Sequence, residues 1–132
     1  MGTIGSFYSP QGALMDHALQ TTWETYVASW KATTPTEKQA LFAASVDEHC
    51  TYTDPLGVAS GWEALAQTMQ GLHQQIPGAY FVTERFSSHH NRCMAQWKMH
   101  GGNGAVIGEG VSFGEYNGQG KLIAMTGFYD TP

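Results

Sequence analysis

The sequence contains few charged residues, and most of them are acidic. Of its 132 residues only six are Lys or Arg, against eleven Asp or Glu, which gives a formal net charge of −5. Charged residues make up 13% of the chain, about half of the roughly 25% found in average proteins. Because no basic patch is available to neutralise phosphates, the composition excludes a nucleic-acid-binding protein. A chain this poor in charge also favours an oligomer.

Cysteines and long apolar runs are also scarce. The two cysteines, Cys50 and Cys93, are too few for a disulfide framework, and we interpret them as buried thiols. No stretch of about 18 consecutive apolar residues is present to cross a membrane. The first residues lack the basic start and apolar segment of a signal peptide. We therefore expect a cytoplasmic protein that does not interact with membranes.

Motifs for cofactors, metals and covalent catalysis are missing. There is no GxGxxG after a strand, no GxxxxGK[ST], no GxSxG and no Cys/His nucleophile signature. His89 and His90 would point to opposite faces of a strand, which makes them poor joint metal ligands. The remaining candidates, His49, His73 and His100, lack ligand spacing. We predict neither a cofactor nor a metal site.

The N-terminal half is helical in pattern. The length suggests one domain over residues 1–132, in which residues 1–12 form a loosely ordered lead. From Asp16 onward, apolar residues recur at helical spacing: Leu19, Trp23, Tyr26, Val27 and Trp30.

Two capping boxes predict two further helices. In "TPTE" (34–37), Thr34 is the N-cap and Pro35 occupies the first helical position. "SGWE" (60–63) opens the third helix, which ends at the Pro-Gly pair of residues 77–78. A short strand at residues 49–53 separates the second helix from the third.

The C-terminal half alternates like a sheet. Four strands are predicted, at 79–87, 92–100, 104–116 and 121–129, with Asn-Gly turn signals at 103–104 and 117–118. Three helices followed by an antiparallel meander predict an α+β protein. In it, one curved sheet packs against the helices on its concave face.

Glu109 stands out in the third of these strands. It shares a face with Ile107, Val111 and Phe113, and this apolar face is predicted to look toward the helices. A carboxyl group buried there would need a partner or would remain protonated. The alternatives are a bulge that turns Glu109 outward, or a single structural hydrogen bond.

Asp54 and Tyr26 are further candidates. In "TYTDPLG" (51–57), Asp54 precedes Pro55 and Gly57, so it could cap a turn or act as a base that faces a pocket. Tyr26 lies on the buried stripe of the first helix, where its phenol needs a hydrogen-bond partner. That partner could be a backbone carbonyl or a ligand. The residues alone leave both questions open.

A family resemblance rests on several short pieces in order: "YTDPLG", "SGWEAL", "PGAYF", "HHNRCMAQW", "GEGVSF" and "NGQGKLIAMTGFY". Over residues 16–129 the chain resembles the nuclear-transport-factor-2-like superfamily and, within it, the SnoaL-like and ketosteroid-isomerase-like proteins. The resemblance implies a cone, with a strongly curved sheet wrapped around three helices (a cystatin-like fold) and a deep apolar pocket at the open end. It also implies a homodimer formed through the outer sheet face.

The resemblance assigns roles to the three candidates. Asp54 matches the general base of the isomerase, and Tyr26 and Glu109 match its two donors to the developing enolate. The departures are a Glu in place of an Asp, and Phe42 and Met69 where the isomerase has supporting phenols, which argues against a steroid substrate. The implied pocket lining comprises Trp23, Met69, Ala95, Trp97, Met99, Ile107, Met125 and Tyr129.

Two functions follow as expectations. The first is cofactor-independent acid–base catalysis of the isomerase, polyketide-cyclase-like lyase or dehydratase type on a small apolar carbonyl compound. The alternative is a non-catalytic module of the same fold that binds a small molecule or forms a dimer.

Overall fold

The structure is a computed structural model that describes residues 10–131, with side chains from Asp16 onward. The predicted loose lead lies outside the described residues for positions 1–9, whereas residues 10–12 belong to the first helix. The described elements are α1 (Pro10–Lys31), α2 (Pro35–Ser45), β1 (Val46–Asp54), β2 (Gly57–Ser60), α3 (Gly61–Gln75), β3 (Tyr80–His89), β4 (Arg92–His100), β5 (Val106–Tyr116) and β6 (Leu122–Phe128). None of the described helices is long and apolar enough to cross a membrane.

The strands of residues 10–131 form one curved sheet in the order β2-β1-β6-β5-β4-β3. All neighbours are antiparallel except β1 and β6, which run parallel. Register shifts interrupt β3 between Thr83 and Arg85 and β4 at Met99 to His100, and such irregularities bend a sheet. The predicted α+β fold is therefore confirmed. The sequence analysis missed β2, because four residues are too few to show alternation.

The two predicted capping boxes differ in the structure. The side chain of Thr34 accepts a hydrogen bond from the backbone N–H of Glu37 at 3.2 Å, with Pro35 at the start of α2. The N-cap Ser60 makes no such side-chain bond. The backbone of Gly61 is left-handed, with φ of 84°, so the chain enters α3 by a turn that only glycine adopts easily. The predicted capping hydrogen bond of Ser60 is therefore wrong, although α3 begins where it was predicted.

The core lies between the helices and the concave face of the sheet. The predicted apolar stripe of α1 is buried there, and so are Phe42 of α2 and Leu65 and Met69 of α3. Together with side chains from the sheet they form one cluster, which includes Trp23, Tyr26, Phe42, Cys50, Leu65, Met69, Ala95, Leu122 and Met125. Both cysteines are buried free thiols, as predicted.

The C-terminal end of α1 is held by the other two helices. The ammonium group of Lys38, on α2, donates to the carbonyl of Ser29 at 2.7 Å. His73 Nε2, on α3, lies 2.5 Å from the carbonyl of Trp30. The last carbonyls of a helix have no partner within the helix, so these contacts satisfy two of them. They anchor the end of α1, including Trp30, to α2 and α3.

The predicted orientation of β5 is wrong. Ile107 and Phe113 are 48% and 46% exposed, and they lie on the outer face of the sheet. Glu109 is also exposed on that face, opposite Lys98. The face that points inward carries small residues: Gly108, Gly110, Ser112 and Gly114. The reason is steric, because large side chains from neighbouring strands and α1 occupy the space over these glycines.

Candidate functional site

Asp54 lies at the end of β1, half-buried, and its two carboxylate oxygens have different partners. Oδ1 accepts hydrogen bonds from the backbone N–H groups of Leu56 at 2.8 Å and Gly57 at 3.1 Å. Oδ2 accepts a hydrogen bond from the hydroxyl of Tyr52 at 2.7 Å. Asp54 therefore caps the turn between β1 and β2 with one oxygen. Its other oxygen faces a phenol on the concave side of the sheet.

Tyr129 and Gly127 also lie close to Asp54. Burial, the negative charge of Asp54 and a hydrogen bond with Asp54 raise the pKa of Tyr129 to about 12. A β-carbon built on Gly127 would lie 3.8 Å from Asp54 Cβ, 3.8 Å from the Tyr52 hydroxyl and 3.6 Å from Ser112 Oγ. The glycine at this position thus leaves room where these side chains meet.

A series of contacting aromatic rings begins and ends beside Asp54. Successive ring centroids lie 5.2 to 6.1 Å apart along the series Tyr52, Trp30, Phe81, Trp97 and Tyr129. Asp54 is hydrogen-bonded to Tyr52 and interacts with Tyr129, so it joins the two ends of the series. We call these five rings and Asp54 the aromatic circuit.

The sequence analysis found part of this circuit. Trp97 and Tyr129 were predicted in the pocket lining; Tyr129 interacts with Asp54, and Trp97 contacts Tyr129. Tyr52 was missed, although it stands two residues before Asp54 and must therefore share its strand face. Trp30 and Phe81 were missed as well, because only the folded chain brings α1 and β3 to the end of β1.

Tyr26 is buried deeper in the cone. Its burial raises its pKa far above the usual value, and the negative charge of Asp54 acts in the same direction. A hydrogen bond with Trp30 opposes these effects. No hydrogen bond joins Tyr26 to Asp54 among the described side chains. Tyr26 is therefore a buried, protonated neighbour of the site without a direct bond to Asp54.

Glu109 and Ile107 do not belong to the site. Both lie on the outer face of the sheet, so the predicted placement of Glu109 in a cavity beside Asp54 is corrected. The other predicted lining residues point inward. Met99 is half-buried against Gly108, and the remaining four lie in the core: Trp23, Met69, Ala95 and Met125.

The outer face has a surface depression of its own. It is lined by residues of β4, β5 and β6, including Arg92, Phe113, Glu115 and Thr126. This depression is on the opposite side of the sheet from Asp54 and shares no residue with the aromatic circuit.

The pair His89 and His90 differs from its prediction. His90 lies in the turn after β3 with a left-handed backbone, φ 48°, and its Nδ1 atom is 3.1 Å from that of His89. The argument that both residues belong to one strand was therefore wrong. Among the described residues, no group of three or more His, Cys, Asp or Glu side chains is arranged to hold a metal ion.

The family model of the SnoaL-like domain matches residues 23–130. The chain belongs to the SnoaL-like domain family. No curated protein matches the chain.

Solved structures share the SnoaL-like fold. An isomerase candidate of the SnoaL-like family from Agrobacterium tumefaciens is 24% identical, with a TM-score of 0.79 over 87% of this chain and 99% of that one. A candidate SnoaL-like polyketide cyclase from Jannaschia sp. is 15% identical, with a TM-score of 0.72 over 93% and 90%. A protein with a ketosteroid isomerase-like fold from Catenulispora acidiphila, solved with trimethylamine, is 12% identical, with a TM-score of 0.66 over 83% and 85%.

Proposed function

We propose that this SnoaL-like protein performs cofactor-independent acid–base catalysis on a small apolar carbonyl compound, with Asp54 as the base. The observation that carries the proposal is that the two oxygens of the Asp54 carboxylate have different partners. Oδ1 is held by two backbone N–H groups, which orients the group, while Oδ2 points toward the phenols inside the cone. Oδ2 would take a proton from the carbon next to the carbonyl and return it elsewhere, as in an isomerase, cyclase or dehydratase.

The developing enolate oxygen would be stabilised by phenols. Glu109 lies on the outer face and takes no part. Tyr129, whose pKa is raised to about 12, remains protonated at neutral pH and can donate a hydrogen bond. Tyr52 can turn its hydroxyl from Asp54 to the substrate once Asp54 has accepted a proton. Tyr26 supports this pair from below. Removal of one such donor typically lowers the rate by about 10²–10³-fold.

Two further points support this proposal. The aromatic circuit supplies apolar contact area for a flat carbonyl compound. Among the similar structures, one is described as an isomerase candidate and another as a polyketide cyclase candidate. At these identities the likeness shows the fold alone, and one fold supports many chemistries. The proposal therefore depends on Asp54.

The test is an Asp54→Asn variant assayed for deuterium exchange into a panel of enolisable ketones and aldehydes by NMR. An asparagine keeps an oxygen that can accept the N–H groups of Leu56 and Gly57, so the turn should survive. We expect the wild-type protein to accelerate exchange, and the variant to lose about 10²–10⁴-fold.

Asp47→Asn is the matched control. Asp47 also lies on β1 and also accepts a backbone N–H, from His49 at 2.8 Å, but its second oxygen binds Asn117 away from the site. This variant should catalyse deuterium exchange into the substrates at the wild-type rate. Equal rates for wild type and Asp54→Asn would contradict the proposal. If Asp54→Asn proves unfolded by circular dichroism, Tyr129→Phe replaces it, with an expected loss of about 10²-fold.

The outer sheet face favours a second proposal, a homodimer. Phe113 and Phe128 stack edge to face with ring centroids 5.8 Å apart, and Phe128 is 54% exposed. The two rings form an exposed apolar patch of the kind that marks interfaces. We propose that a second copy of the chain covers it.

Sedimentation velocity tests the dimer. The wild-type protein should sediment at twice the chain mass, and Phe113→Thr/Phe128→Thr should shift it to the monomer. Val82→Thr, also on the outer face but on β3, is the control and should remain dimeric. A monomeric wild type would refute this interface.

A further inference from the structure

We propose that His89 and His90 form a surface site for one divalent zinc or copper ion, which binds between their Nδ1 atoms. The site lies at the end of β3 and shares no residue with the aromatic circuit. The inference therefore goes beyond the proposed function and does not depend on it. Three features of the described residues carry it: the distance between the two nitrogen atoms, the turn that holds the histidines together, and the charges nearby.

The distance between the two nitrogen atoms is that between two ligands of one metal ion. His89 Nδ1 and His90 Nδ1 lie 3.1 Å apart, and both side chains are exposed. Bonds from zinc to histidine nitrogen are about 2.0–2.1 Å long, so an ion bound to both atoms at this separation would have an N–metal–N angle of about 95–102°. That angle lies between the roughly 90° of square-planar copper and the roughly 109° of tetrahedral zinc.

A two-residue turn brings the rings together. His90 and Asn91 both have left-handed backbones, with φ of 48° and 58°, and they connect the paired residues His89 and Arg92. Two successive left-handed residues are typical of a type I′ hairpin turn. Neighbouring side chains point to opposite faces only within a strand, so that rule does not separate this pair.

The turn is held in place by neighbouring groups. Arg92 Nη1 donates to the carbonyl of His90 at 3.1 Å, and the backbone N–H of Tyr116 donates to the carbonyl of Asn91 at 2.9 Å. A left-handed histidine is uncommon and carries a cost in backbone energy. Residues held in this way cluster at functional sites. The turn thus presents two ligands close to their binding arrangement, and the exposed rings need only rotate about their side-chain bonds.

The contact between the two rings has a chemistry that a metal ion can replace. At 3.1 Å one Nδ1–H donates to the other Nδ1, so the two rings share a single proton at this point. A divalent ion in place of that proton would use the lone pairs of both nitrogens. Imidazole nitrogen suits zinc and copper, whereas magnesium and calcium prefer oxygen ligands. Among the described side chains no third His, Cys, Asp or Glu joins the pair, so water would complete the coordination.

The charged groups near the turn favour a bound cation. Arg92 is neutralised by Glu115, with 3.5 Å between Nε and Oε1. Ser88, which precedes His89, donates to the carboxylate of Asp16 at 3.1 Å. These neighbours carry one positive and two negative charges, so the local field attracts a divalent ion.

A zinc titration tests the inference directly. Zn²⁺ is added to the ¹⁵N-labelled full chain at pH 7.5 in a buffer that does not bind metals, while the imidazole nitrogens are followed by long-range ¹H–¹⁵N NMR. We expect the Nδ1 signals of His89 and His90 to shift along one binding curve, whereas Mg²⁺ should move neither. Zn²⁺ that shifts only one of the two Nδ1 signals, or neither, would overturn the inference.

Variants show whether the two histidines act together. Asparagine tolerates a left-handed backbone, so His90→Asn should keep the turn and weaken Zn²⁺ binding at His89 at least tenfold. His49→Asn is the matched control, because His49 is also exposed and lies 3.5 Å from a carboxylate, that of Glu48. It should leave the affinity at His89 unchanged. If the amide spectrum of His90→Asn shows a rearranged turn, His89→Asn replaces it, with the same loss expected at His90. Wild-type affinity in the variant with an intact turn would contradict a shared site.

Discussion

The indole of Trp97 occupies the space beside the α-carbon of Gly110. A β-carbon at Gly110 would overlap the six-membered ring of Trp97 and would lie 2.6 Å from the carbonyl oxygen of Phe128. Trp97 is held there by its Nε1–H, which donates to Ser112 Oγ at 2.9 Å. The absence of a side chain at Gly110 on β5 thus leaves the space that the indole of Trp97 takes in the aromatic circuit.

Replacement of Gly110 by alanine should displace Trp97. Neither the ring nor the backbone carbonyl can yield cheaply, and overpacking of this kind costs about 1–3 kcal/mol. We expect a loss of that size in the free energy of unfolding, measured by urea denaturation, together with a change in Trp fluorescence. Gly108→Ala is the control, because its β-carbon would meet the flexible tip of Met99 at 3.4 Å. Equal losses for both variants would contradict this account.

Tyr129 should make the protein sensitive to alkaline pH. Its pKa is raised to about 12, whereas a tyrosine of the unfolded chain ionises near pH 10. The folded state therefore holds the proton more tightly, and the resulting stabilisation is complete below about pH 10 and is lost between about pH 10 and 12. Urea denaturation at pH 8 to 11.5 should show a shallower decline for Tyr129→Phe than for wild type. Asp54→Asn should lower the pKa of Tyr129, read from absorbance at 295 nm. Parallel declines in wild type and Tyr129→Phe would count against the assignment.

The two thiols should be inert in the folded protein. Cys50 and Cys93 are buried, and burial raises the pKa of both, to about 11 for Cys93. Thiolate is the reactive form, so little of it is present or accessible at neutral pH. Ellman's reagent should react with neither thiol in native protein over minutes and with both in urea. Rapid reaction without denaturant would mean that the core opens far more readily than its packing indicates.

The two N-caps should differ in energy despite their similar sequences. Thr34→Ala removes the 3.2 Å bond to the backbone N–H of Glu37 and should cost about 1 kcal/mol in the free energy of unfolding. Ser60→Ala removes no capping bond and should cost only a few tenths. Thermal denaturation of the two variants decides the matter. A larger loss at Ser60 would show that its hydroxyl, and not the turn at Gly61, starts α3.

A feature could be predicted from the sequence where it depends on residues that are close together in the chain. The helix start at Thr34 and the buried stripe through Trp23 and Tyr26 follow from spacing within a few residues, and the structure confirms both. The predicted orientation of β5 was wrong because its apolar residues were assumed to face the core. The structure instead puts glycines inward and leaves Ile107 and Phe113 outside, because the interior is filled by side chains from other elements.

By itself, the sequence determined the α+β class, the helices and most of the strands. It also determined the burial of both cysteines and the position of Asp54 after a strand. These features depend on residue type, on the spacing of nearby residues and on turn residues. Only the tertiary structure decided that Glu109 lies outside and that Asp54 both caps a turn and faces Tyr52. It also decided that Trp30, Phe81, Trp97 and Tyr129 form one series of contacting rings. These residues are separated by up to about a hundred positions and lie on α1, on β3 and β4, and after β6. Their encounter depends on the curvature of the sheet and on which side chains fill the cone, and no local pattern encodes either.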